Sequence, residues 1–168
     1  MKKIIITFIV GVITICVVYT SRQLARPVEI IAVHQQQHWS HVLVKNFPFT
    51  ARGKVKWWEA NRMLLKEKYG IPVPTNDGWF SVTFWDFGEG YEVEKPDENS
   101  WFPDKSTDHL YCFTEMKVEA RCIRKKGRLM KINFTSENLI RFTADGETFY
   151  QHPDGKIIKG ERFTTTIK

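Results

Sequence analysis

Three cysteines in 168 residues exclude a disulfide-dense secreted scaffold, and the modest proline and glycine content excludes a low-complexity or fibrous chain. No Walker loop, no Rossmann glycine pattern and no serine-nucleophile motif is present. No second cysteine pair accompanies Cys112 and Cys122 to complete a zinc site, and no internal repeat is visible. Acid is missing from the start of the chain, where Glu29 is the first carboxylate. Charge of either sign is missing from Ile4 to Tyr19.

That uncharged stretch, IIITFIVGVITICVVY, is the most informative feature. As a helix its 16 residues span about 24 Å, a little short of the ~30 Å hydrocarbon core of a bilayer. Thr20 and Ser21 extend it, and Lys3 and Arg22 snorkel outward from its ends. β-Branched residues favour strands in water, but in lipid the backbone hydrogen bonds must close within the segment, which makes it a helix. Ile4, Ile5, Ile6, Phe8, Val10, Val12, Ile15, Val17 and Tyr19 form the expected apolar anchor. A cleaved signal peptide is the competing reading. It fits less well, because the nearest cleavage position, after Ala25, has Gln23 where a small residue is needed. The positive flanks, Lys2 and Lys3 against Arg22 and Arg26, favour a cytoplasmic N-terminus by a small margin. The expected organisation is an anchor over residues 1–26 and one periplasmic domain over 27–168, single-pass in a bacterial inner membrane.

Setting aside Lys2, Lys3, Arg22 and Arg26 reduces the net charge from +6 to +2, too little to suggest nucleic acid. The remaining charge is sorted. Pro74–Met116 carries ten acids against Lys95 and Lys105, while Lys117–Lys168 carries twelve bases against six acids. Mutual neutralisation in the fold is the simplest expectation.

Val28–Val33 and His41–Phe47 read as paired strands, with polar His34–Ser40 as the turn between them. Thr50 caps a helix over Ala51–Tyr69, in which Val55, Trp58, Leu65 and Tyr69 share an apolar stripe and Lys54 lies largely outside it. Gly70 ends the helix. Trp79–Phe87 is the strongest strand signal, and Gly88-Glu89-Gly90 turns it into Tyr91–Glu94 as a hairpin. Glu94–Asp108 is an acidic loop. Further strands are expected at His109–Phe113, Arg128–Thr135, Leu139–Thr143, Glu147–Gln151 and Lys156–Lys159, with turns at Asp145-Gly146 and Pro153-Asp154-Gly155. The fold class is therefore α+β: an N-terminal transmembrane helix, then a mainly antiparallel sheet packed with one major helix.

Cys112 and Cys122 can bridge in an oxidising compartment; two buried thiols are the alternative. His34, His38 and His41 fall near a turn that gives three imidazoles no common face, so no metal site is expected. His109 beside Cys112 yields no nucleophile if the cysteine is bridged. Asp86, Glu89, Glu92 and Glu94 are ordinary solvated turn acids before they are acid–base catalysts. Arg121, Arg124, Lys125, Lys126 and Arg128 form a basic cluster, read first as a solvated turn. The acidic segment interleaved with aromatics suits a protein-binding surface for a basic partner, with Trp85, Asp86, Glu89, Tyr91, Glu92, Glu94, Trp101 and Phe102 as its candidates. No catalytic residue, cofactor or metal is expected.

Four stretches, RPVEIIAVH at 26–34, VLVKNFPFT at 42–50, GKVKWWEANRMLLKEKYGIP at 53–72 and VTFWDFGEGYE at 82–92, together resemble the enterobacterial family called domain of unknown function 943. The resemblance implies a short protein with an N-terminal membrane helix and an envelope domain, and the Cys112/Cys122 pair is similar to that family's paired cysteines. It implies no catalytic residue. The expected function is a non-enzymatic, membrane-anchored periplasmic binding protein, most concretely an immunity protein neutralising an antibacterial toxin such as a secretion-system effector. The alternative is an accessory factor of an envelope assembly or secretion complex. The expected partners are the inner membrane and a protein, not nucleic acid.

Overall fold

The computed structural model describes residues 11–14, 26–96 and 106–160. Eleven major elements follow one another: β1 (Glu29–Gln36), β2 (Trp39–Lys45), α1 (Ala51–Tyr69), β3 (Ser81–Asp86), β4 (Glu92–Val93), β5 (Leu110–Cys112), β6 (Ala120–Arg124), β7 (Arg128–Phe134), β8 (Ile140–Ala144), β9 (Glu147–Gln151) and β10 (Ile157–Lys159). The expected mainly antiparallel sheet with one major helix is what forms. A seven-stranded sheet runs β1-β2-β3-β7-β8-β9-β10, and a three-stranded sheet runs β4-β6-β5. Among the described residues no helix is long and apolar enough to cross a membrane. Of the expected anchor only Gly11–Thr14 is described, as helix with Val12 exposed. Ile4, Ile5, Ile6, Phe8, Val10, Ile15, Val17 and Tyr19 lie outside the described residues.

The helix begins and ends where its sequence dictates. The Thr50 side chain accepts a hydrogen bond from the Gly53 amide at 3.1 Å. Gly70 adopts φ 68°, and its N–H returns to the Lys66 carbonyl. Val55, Trp58 and Leu65 are buried against Val42 and Val44 of β2, Val82 and Phe84 of β3, Met130 and Ile132 of β7, and Phe142 of β8. Lys54 departs from its expected place outside the stripe. It is buried and paired with Asp145 in the β8–β9 turn at 2.5 Å. Its aliphatic stem fills core volume while the ammonium reaches a carboxylate at the rim.

The opposite face of the large sheet is covered over β1–β3 by the small sheet. Leu43, Trp85, Phe113 and Ile123 form this second core, with Tyr91 and Tyr111 packed against it. Cys112 and Cys122, directly opposed on β5 and β6, are bonded to each other.

Three local expectations are corrected. The β1–β2 turn is only Gln37 and His38, so His34 belongs to a strand rather than a loop. Gln37 adopts φ 53° in that tight turn. β3 does not form a hairpin with Tyr91–Glu94. It pairs in parallel with β2, to which α1 connects it, and antiparallel with β7, while β4 pairs with β6. β6, absent from the sequence reading, is the middle strand of the small sheet.

Candidate functional site

The small sheet does not merely cover the large one; it locks onto it through hydrogen-bonded rings. His34 and His41 are cross-strand partners on β1 and β2. The His34 Nδ1–H donates to Glu115 Oε1 at 2.7 Å, and its Nε2 meets the Tyr91 hydroxyl at 2.7 Å. Its ring stacks on Phe113 with centroids 3.8 Å apart. The Trp85 indole N–H donates to His41 Nδ1 at 3.1 Å, while His41 Nε2 meets the Tyr111 hydroxyl at 2.9 Å. Because an indole can only donate, His41 Nδ1 must be unprotonated and its proton sits on Nε2. Burial, reinforced by His34, pushes the His41 pKa down to about 4. Burial also opposes the Glu115 charge, but hydrogen bonds from the backbone, His34 and Gln36 prevail and hold its carboxyl below the usual range. Burial and the Glu115 carboxylate raise both Tyr91 and Tyr111.

The residues first considered for partner binding divide among three places. Trp85 is buried and Tyr91 half-buried in the second core. Asp86, Glu89 and Glu92 come together around a concavity of about 510 Å³, whose other wall is Arg124 and Lys126. Arg124 grips Glu92 with two hydrogen bonds at 2.6 and 3.1 Å, which hold the Glu92 carboxyl below its usual range. Glu94 pairs with Arg121 at 3.1 Å, and its carboxylate lies within 4.8 Å of the sulfurs of Cys112 and Cys122. Those sulfurs are bonded to each other and are not thiolate ligands. Trp101 and Phe102 lie outside the described residues. The two Arg–Glu pairs carry out the neutralisation expected between the acidic middle and the basic C-terminal third. His38 is directed elsewhere, toward the Val73 carbonyl.

A second concavity was not anticipated. It measures about 560 Å³ and runs beside Tyr111 where the small sheet stops. Its floor is Trp39, His41, Thr83 and Trp85, and its cations are Lys125, Arg128 and Lys131. Trp39 is 43% exposed, with the Lys131 ammonium 5.5 Å from its ring centroid. Burial, then Arg128 and Arg141, lower the Lys131 pKa. Among the described residues none of the three groove cations has a carboxylate within ion-pair distance. Sequence did offer one signal: polar Lys131 and Asn133 alternate with apolar Met130 and Ile132, so β7 has one polar face.

A family model described as "Enterobacterial putative membrane protein (DUF943)" matches residues 1–161. No curated protein and no solved structure matches the chain.

Proposed function

The chain belongs to this enterobacterial family of domain of unknown function 943, and on that premise we propose that it is a non-enzymatic, membrane-anchored binding protein whose domain stands in the periplasm and captures a protein partner. The most concrete form of the reading is an immunity protein that neutralises an antibacterial toxin. One observation carries it: among the described residues the small sheet covers the second face of the large sheet only over β1–β3. On β7 and β8 the rest of that face presents Lys131, Arg141 and Thr143, with Asn133 buried beside the Arg141 guanidinium, and it is bordered by a half-exposed Trp39. A flat polar strand surface beside an aromatic concavity is the anatomy of a protein interface, a dry anchor within a polar rim. The Cys112–Cys122 bond supports an oxidising compartment. The saturated ring nitrogens of His34 and His41 support binding over acid–base chemistry, since neither histidine presents a free nitrogen to a substrate.

The test is protection. Expression of the full chain is expected to rescue a sensitive strain from the toxin encoded beside its gene and to co-purify with that toxin. Crosslinking to resident envelope machinery in cells lacking any toxin, with no protection, would replace the reading with that of an accessory assembly factor. A reporter fused after Lys168 is expected to be active in the periplasm; activity confined to the cytoplasm would overturn the topology.

A further inference from the structure

We infer that the groove between Tyr111 and β7 is the docking site for an extended acidic segment of a protein partner, with carboxylates at alternate positions and an apolar side chain between them. The inference rests on the partner-binding reading and gives it a location and a chemistry.

Register supplies the first argument. Arg128 and Lys131 are three residues apart, a spacing that would place them on opposite faces of a regular strand. A bulge at Leu129 removes this conflict, because Trp85 pairs with Arg128 while Phe84 pairs with Met130. Both cations therefore line the same groove. Arg128 stands level with Trp85 and Lys131 level with Thr83, two residues apart on β3, roughly 7 Å along the strand. Alternate side chains of any extended chain have this same separation. Lys125, in the turn between β6 and β7, adds a third charge to the lining.

Charge supplies the second. Among the described residues, Glu92, Glu94 and Glu115 of the small-sheet region are committed elsewhere: Glu92 to Arg124, Glu94 to Arg121, and Glu115 to His34 and Gln36. Among the described residues no carboxylate pairs with Lys125, Arg128 or Lys131, and an external anion can. His41 adds no positive charge, since both its nitrogens are engaged inside the fold.

Shape chooses among anions. A bilayer is flat and meets protruding cations, whereas Lys131 is half-buried in a concavity beside Trp39. One free phosphate would use one cation cluster, not charges set out along a strand. The half-exposed ring of Trp39, with the edge of buried Trp85 behind it, gives the intervening apolar side chain a surface to cover.

The experiment uses the full chain, isotopically labelled at its tryptophans, in neutral detergent micelles. The peptide acetyl-Gly-Glu-Phe-Glu-Gly-amide is titrated in while the indole N–H signals of Trp39 and Trp85 are followed. Saturable shifts are expected, weakening with added salt, and the Gln-Phe-Gln peptide is expected to leave both signals in place. The Arg128→Glu/Lys131→Glu variant is expected to bind at least about tenfold more weakly, the equivalent of one lost charge-assisted contact or more. If that variant fails to fold, Arg128→Gln/Lys131→Gln makes the same comparison. No shift at either indole, or equal shifts with inorganic phosphate or with anionic phosphatidylglycerol vesicles, would overturn the inference. A chain that protects against its toxin undiminished by these substitutions would retain its function and lose this site.

Discussion

His34 and His41 face one another across the β1–β2 hairpin, yet their four ring nitrogens go to four different groups. His34 is held by a carboxylate and a phenol, Glu115 and Tyr91; His41 by an indole and a phenol, Trp85 and Tyr111. Three of these partners, Tyr91, Tyr111 and Glu115, come from the chain between β3 and β6. The histidine pair is therefore the polar seam by which the small sheet docks on the large one, and its proton inventory sets how that docking responds to acid.

Acid weakens the domain first through His41. Its folded pKa of about 4 lies below the 6.5 of an exposed imidazole. Between those values the unfolded chain takes up a proton that the folded chain refuses, so stability falls as pH drops from 6.5 toward 4. The full effect is at most about 3 kcal/mol. Glu92 and Glu115, whose folded carboxyls lie below 4.5, start to surrender their contributions only as pH falls past that value. Urea denaturation at a series of pH values is expected to show the slope above pH 5. His41→Gln is expected to be less stable at pH 7 and flat across the same window.

The buried Lys54 makes a different kind of contribution. Replacing Asp145 with Asn keeps a residue tolerant of its φ of 51° but leaves the ammonium without its carboxylate. A loss of about 3 kcal/mol is expected, because an uncompensated buried charge costs more than the pair contributed. Lys54→Met is expected to be close to neutral. Adding it to Asp145→Asn is expected to restore most of the stability, which a double-mutant cycle by thermal unfolding measures.

Removing the cap hydroxyl in Thr50→Ala frees the Gly53 amide that it accepts from. About 1 kcal/mol of stability is expected to be lost. Gly53→Ala is expected to cost as much or more, since an added Cβ would come to 2.9 Å from the Thr50 hydroxyl oxygen. Melting curves of both variants check this.

Opening the bond between Cys112 and Cys122 with a paired Ser substitution is expected to cost roughly 2–3 kcal/mol. The loss is expected to be local. Amide exchange rises in β4, β5 and β6 while β2, β3 and α1 keep their protection, because the helix-side core contains no small-sheet residue.

Local chemistry made part of this fold legible in advance. Thr50, Gly70 and Asp145-Gly146 act within a few residues of themselves, and the structure uses each as read. Tertiary chemistry did not show itself in the same way. The parallel pairing of β2 with β3 depends on α1 as a crossover, which neither strand's pattern encodes. β6, with Arg121 and Arg124 flanking buried Cys122 and Ile123, looks like a charged turn until Glu92 and Glu94 are placed opposite. The polar run from His34 to Ser40 resembled a loop because its partners lie some 50 to 80 residues away. The groove shared that invisibility: Lys125 and Arg128 read as a solvated turn, Lys131 as part of a strand, Trp39 as part of a turn and Trp85 as part of an acidic aromatic surface, and only the register at Leu129 brings Arg128 and Lys131 together.

The position of the Cys112–Cys122 bond also bears on how the chain survives in a compartment containing proteases. The nine residues from Phe113 to Arg121 hold both Glu115, which fastens His34, and the polar turn exposed around Val118. A single cut there would ordinarily divide the polypeptide in two and release everything C-terminal to it. Here both fragments stay covalently joined through adjacent strands, so such a nick changes connectivity without changing composition. The chain would then run as one band without reductant and as two with it.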